Sequence, residues 1–139
     1  MKIMSVDLGK ARTGLAISDS GEFLASPLYT ISESDQNKLV LKILDAISEH
    51  KPQMLVVGLP KNMDGSEGES AQNARSFAEI LKEQSGLPVE MCDERGTTIT
   101  AHNYLNTTNT RGKKRKAVID SVAATVILED YLNYRRLHK

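Results

Sequence analysis

The sequence predicts an α/β fold: one mixed, five-stranded sheet in strand order 3-2-1-4-5, flanked by helices. Three observations carry this. The first third is a series of short apolar segments with brief connections, as in an antiparallel meander. A continuous apolar run, MLVVG at 54–58, then follows a helical pattern, which suits a parallel strand buried on both faces. From there helical and strand patterns alternate, and right-handed βαβ crossovers return each strand to the same sheet. The first strand then lies centrally, with the meander on one side and the two later strands on the other.

Lys2–Leu8 reads as the first strand, with Ile3, Met4 and Val6 apolar and Asp7 and Gly9 at its end. Thr13–Ser18 is the second, with Leu15 and Ile17 alternating. Asp19-Ser20-Gly21 signals a turn, and Glu22–Ile31 is the third strand. Pro27 lacks a ladder donor and assigns that strand to an edge. A helix from about Asp35 to His50 shows Leu39, Ile43, Leu44 and Ile47 on one face, and Pro52 closes it. After MLVVG comes a loop, Leu59–Glu69. A second helix, Ser70–Ser85, turns Ala71, Ala74, Phe77, Ala78 and Leu81 inward and stops at Gly86 and Pro88. Val89–Asp93 is the fifth strand. Thr97–Leu105 reads as a short helix, Asn106–Lys114 as a basic loop, and Arg115–Tyr134 as a long last helix with Ile119, Val122, Val126 and Ile127 in the core.

A chain of 139 residues supports one domain, 1–139, with a real core. Cys92 is the sole cysteine, which excludes an intramolecular disulfide and fits a reducing compartment. No apolar run has transmembrane length and no signal peptide is evident, so a cytoplasmic protein without a membrane partner is expected. Basic and acidic residues balance at 18 each, so total charge names no partner. Their distribution is uneven. Arg111, Lys113, Lys114, Arg115 and Lys116 cluster, Arg135, Arg136 and Lys139 crowd the end, and acids concentrate between Glu33 and Glu94. Such a basic stretch suits a polyanion, although a charge run is often only a solvated face.

The chemistry-bearing candidates are carboxylates. Asp7 ends the central strand, Asp93 and Glu94 end the last strand, and Asp120 lies in the first turns of the last helix. Ligands of open α/β sheets gather at the carboxyl ends of strands, which draws these positions together. Ala123 and Ala124 are small enough to let the helix approach the sheet. Gathered carboxylates repel one another unless a cation neutralises them, and hard cations such as Mg²⁺ take oxygen ligands. Phosphodiester hydrolysis uses such ions, often as a pair about 3.5–4 Å apart. Lys10, Arg12, Arg95 and the basic loop are placed to hold a phosphate backbone. Each acid also has a plain reading: Asp120 as a partner of the helix dipole, Asp93-Glu94-Arg95 as a surface ion pair, Asp7 as a strand-end turn. The segment GLPKNMDGSEG at 58–68 lacks the Gly-Lys-Ser/Thr ending of a P-loop, yet Lys61 and Asn62 stand where they can touch a phosphate or base. His50, His102 and His138 have no metal-ligand spacing, and Cys92 reads as core.

DLGKARTGLAISD, GLPKNMDGSEG, DERGTT and VIDSVAATVILEDYL occur in this order and span nearly the whole chain. Together they resemble the YqgF-type pre-16S rRNA nuclease family, the Holliday-junction-resolvase-like branch of the ribonuclease H superfamily. The resemblance implies a ribonuclease H-like fold and a Mg²⁺- or Mn²⁺-dependent endonuclease that trims the 5′ end of precursor 16S rRNA. It matches Asp7, Glu94 and Asp120 to the family's acidic triad, with Asp93 as second choice for the middle acid. Lys10, Arg12, Lys61, Asn62, Arg95, Thr97, Thr98, Arg111, Lys113, Lys114, Arg115 and Lys116 are the candidates, by charge and position in the chain, for contact with nucleic acid. The chain departs from the family pattern at Ala11-Arg12, where Lys-Arg is usual, and at Gly96, where Leu is usual. The alternatives are resolution of branched DNA, RNA binding without catalysis in ribosome assembly, and nucleotide binding as in the actin and sugar-kinase superfamily. The last is opposed by the want of a second domain to close over a nucleotide. Monomer and homodimer both remain open.

Overall fold

A computed structural model describes residues 1–9, 11–60, 66–93 and 112–137, with the backbone alone at 93 and 112–121. The strands are β1 (Ile3–Leu8), β2 (Arg12–Ser18), β3 (Ala25–Ser32), β4 (Met54–Leu59) and β5 (Val89–Asp93). The helices are α1 (Gln36–His50), α2 (Glu69–Ser85) and α3 (Gly112–Leu137). The sheet order is β3-β2-β1-β4-β5. β1, β2 and β3 pair antiparallel, and β4 and β5 join β1 in parallel. This is the expected sheet, with Pro27 in an outer strand.

The strand pleat sorts β1 onto two faces. Met4 and Val6 enter a core cluster with α1 and α2, built on Ile43, Phe77 and Leu81. Ile3 enters a second cluster with α3, built on Ile127, Leu128 and Leu132. The sheet is therefore covered on both sides, which is why MLVVG is apolar throughout. Asp35 caps α1 by accepting from Lys38 N–H at 3.1 Å. Gly86 ends α2 in the left-handed region at φ 72°, as its position after the last apolar residue leads one to expect.

Three expectations are corrected. The last helix begins at Gly112, so Lys113 and Lys114 belong to it and not to a loop. Lys and Arg are good helix formers, and a run without apolar periodicity can still extend a helix anchored further on. The buried face of α3 carries Ala123, Ala124, Ile127, Leu128, Tyr131 and Leu132, while Val122 and Val126 lie at its half-buried shoulder. Finally, β3 starts at Ala25, because residues 19–24 form a longer turn than Asp-Ser-Gly alone indicates. Lys10, Lys61, Asn62, the whole of 94–111 and with it the expected helix Thr97–Leu105 lie outside the described residues.

Candidate functional site at the carboxyl end of the sheet

Asp7 is half-buried near the end of β1, in register with Gly14 of β2. The chain turns sharply just beyond it. A Cβ built on Gly9 would stand 2.2 Å from the carbonyl oxygen of Arg12, so the turn back into β2 admits glycine alone. Ala11 accepts from Glu33 N–H at 3.1 Å, which ties this turn to the end of β3. Arg12 opens β2 opposite Ser32 and is half-buried.

The helix α3 runs antiparallel to β1, and four contacts fix its level along the sheet. Arg135 Nε donates to Glu22 Oε1 at 2.6 Å. Tyr131 O–H points to Met54 Sδ at 3.9 Å. Cys92 Sγ lies 3.9 Å from the carbonyl of Ile127. Closest to the site, Ser5 Oγ donates to the carbonyl of Ala124 at 2.6 Å, with Ser5 and Ala124 both fully buried. The alanines at 123 and 124 make this approach possible, as their size indicates.

From that bond the level of Asp120 follows. Asp7 lies two residues beyond Ser5 on the same side of the pleat, about 6.6 Å along the strand. Asp120 lies four residues before Ala124, about 6 Å along the helix in the same direction. The backbone of Asp120 therefore reaches the level of Asp7, one helical turn from the Ser5 contact. Ser5 itself went unnoticed in the sequence, although a hydroxyl inside the apolar run IMSV needs a buried partner and was the available signal.

On the far side of β1, β5 continues to Asp93, in register with Leu59 of β4. Leu59 belongs to the α1–α2 cluster, whereas Cys92 packs on the α3 side. Cys92 thus faces the same side of the sheet as Asp7. The exit of the 60–68 segment is fastened by a two-pronged ion pair, Arg75 to Glu67 at 2.7 and 2.8 Å. Lys113, Lys114, Arg115 and Lys116 lie on the first turns of α3, N-terminal to Asp120 and hence at this end of the sheet. Lys10, Lys61, Asn62, Glu94, Arg95, Thr97, Thr98 and Arg111 lie outside the described residues.

Residues 1–134 match the model of the RuvX family, described as a Holliday junction resolvase. A protein of Chloroflexus aurantiacus named "Putative pre-16S rRNA nuclease" is 40% identical over 96% of this chain and 88% of its own length. One of the same name from Halothermothrix orenii is 40% identical over 99% of both chains. Among solved structures, Thermus thermophilus RuvC in complex with Holliday junction substrate superposes with a TM-score of 0.64 at 13% identity, covering 100% of this chain and 97% of that one. The fowlpox virus Holliday junction resolvase superposes with a TM-score of 0.56 at 14% identity, covering 96% and 99%. At such identities these two show the fold alone, which is ribonuclease H-like.

Proposed function

Because the chain belongs to the RuvX family of Holliday junction resolvases, we propose that it is a divalent-metal-dependent endonuclease that processes the 5′ end of precursor 16S rRNA. The RNA substrate is favoured by the full-length relatives named as pre-16S rRNA nucleases. The observation that carries the site is the buried Ser5–Ala124 bond, which levels Asp120 with Asp7. Asp7 and Asp120 are the outer acids. Glu94 is the middle acid, as its match to the family's triad implies, with Asp93 as the second choice.

The donor set consists of carboxylate oxygens at a strand end and on a closely packed helix, which fits Mg²⁺ or Mn²⁺. When bound, such a cation supplies Lewis acidity at the scissile phosphate. The chain's own residues hold and orient. Asp7, Glu94 and Asp120 place their oxygens, and Ser5 keeps α3 at the right level. Arg12 opens β2 beside the turn at Gly9 and Lys113–Lys116 lie on the first turns of α3; with Lys10, their role is to draw the phosphate backbone across the strand ends. Lys61, Asn62, Arg95, Thr97, Thr98 and Arg111 complete the proposed contact surface. Among the described residues no helix is long and apolar enough to cross a membrane.

The test is cleavage of a precursor 16S rRNA fragment in Mg²⁺ by the wild type and by Asp7→Asn. Cleavage by the wild type alone is expected; equal cleavage by both would overturn the assignment. Resolution of branched DNA is a second reading, favoured by the family description. Competition between junction DNA and precursor rRNA for one enzyme separates the two.

A further inference from the structure

A pocket of 240 Å³ opens at the carboxyl end of the sheet, between the turn at Gly9, the start of α1 and the early turns of α2. It lies on the other side of the sheet from Asp7, since Leu8 packs against the α1–α2 cluster while Ser5 and Asp7 face α3. Both helices begin at this end, α1 after β3 and α2 after β4. Each lends the pocket one amide and one apolar residue from a single face. On α1 these are Gln36 and Leu39, at i and i+3; on α2 they are Asn73 and Phe77, at i and i+4. Leu39 and Phe77 are buried, and with half-buried Leu8 they make an apolar floor. Both amides are exposed and form a polar rim.

This lining selects among the parts of a nucleic acid. A phosphate is disfavoured, because no cation lines the pocket among the described residues and Glu33 would face the anion. The Glu33 carboxylate accepts from Lys42 Nζ at 3.0 Å and from Asp35 N–H at 3.2 Å, which holds it below the usual carboxylate range and keeps it ionised. A base is favoured. Its faces are apolar enough for the floor, and its edge mixes hydrogen-bond donors with acceptors. Each amide answers that edge with an acceptor oxygen and a donating NH₂. The volume falls below the roughly 300–1,000 Å³ typical of pockets for drug-sized ligands, so it suits a single base. Leu8 follows Asp7 by about 3.8 Å of chain. Gly9, exposed beside it, presents only backbone.

We propose that this pocket takes the base of one unpaired nucleotide beside the scissile phosphate, with Asn73 and Gln36 reading its edge. The proposal rests on the nuclease reading above, in which Asp7 marks the reacting phosphate. The substrate strand crosses the end of β1 with that phosphate on the Asp7 side and the neighbouring base turned over Gly9 onto Leu8. A base held in this way is unstacked from its neighbours, so the substrate is single-stranded or frayed at the cut. Asn73 and Gln36 touch no reacting atom; they set which base is accepted.

The test uses a precursor 16S rRNA fragment from which single bases are removed in turn, leaving abasic sites. Cleavage in Mg²⁺ is followed with the wild type, and binding is measured with Asp7→Asn. One position adjoining the cleaved bond should stand out. Loss of its base should slow cleavage, and weaken binding, about tenfold or more. Asn73→Leu and Gln36→Leu, made in both backgrounds and shown by circular dichroism to be folded, should each weaken the intact fragment's binding and cleavage. On the fragment abasic at that position they should cost little more, because the contact is already gone. Losses that simply add, or the want of any position that stands out, overturn the proposal. Should the wild type and Asp7→Asn cleave alike, the nuclease reading falls, and the same binding comparison still decides whether the pocket holds a base.

Discussion

The two ends of the sheet are built on different principles. At the carboxyl end the chain is shaped by close approach: glycine at 9 against a carbonyl, alanine at 124 against Ser5, and a half-buried carboxylate between them. At the other end it is shaped by charge: Asp19 gathers backbone N–H groups, and Glu22 is held by Arg135. The same helix, α3, runs to both. The difference teaches that the carboxyl end, where the site is proposed, tolerates little change in volume, whereas the opposite end responds to charge and pH.

The sharpest break of this contrast is at Asp7. Asp7→Asn nearly conserves volume and should leave the melting temperature close to that of the wild type. Mg²⁺-dependent cleavage should fall on the order of 10³-fold, since the role proposed for the acid is electrostatic. A large fall in melting temperature with little loss of cleavage would show that Asp7 is structural.

Gly9→Ala comes next. Its Cβ would meet the Arg12 carbonyl at 2.2 Å, so the backbone must move, at a cost of about 1–3 kcal/mol in denaturant unfolding. Ser5→Val tests the seam between β1 and α3. It removes the hydroxyl and adds bulk where α3 lies nearest, with an expected loss of about 1–3 kcal/mol. Its loss of cleavage should exceed that of Ser5→Ala, which keeps the helix close. Equal cleavage by both variants would show that the level of α3 does not set the site.

The smallest effect is at the charged end. Arg135 holds the Glu22 carboxyl below its ordinary value of 4.5, so the pair's stabilisation is whole above about that pH. It is lost as pH falls through the lower, folded value. The melting temperatures of the wild type and Arg135→Met should therefore differ most near neutrality and converge on acidification. A gap that does not change with pH would place the contribution of Arg135 in packing.

Much of the carboxyl end was legible because its signals are local. MLVVG marks a doubly buried strand, Pro27 an edge, and an acid with glycine after an apolar run the end of a central strand. What was missed depends on contact between distant segments. On the buried face of α3, Ile127 and the close approach at Ala123 and Ala124 were legible, but Val122 and Val126 lie at its half-buried shoulder, and Leu128, Tyr131 and Leu132, with the Tyr131 hydroxyl against Met54, were not foreseen. Ser5 escaped notice because its partner lies 119 residues away. Phe23 and Leu24 were taken as strand because both suit a pleated surface; the Asp19 carboxylate captures their N–H groups and keeps them out of the ladder.

The Ser5–Ala124 bond also turns a question of residue identity into one of counting. Two residues of strand separate Ser5 from Asp7, and four of helix separate Asp120 from Ala124. A single residue inserted within 120–124 would swing position 120 by roughly 100° about the helix axis while leaving every side chain chemically intact. A protein with all its acids present could thus be inert through a miscount alone.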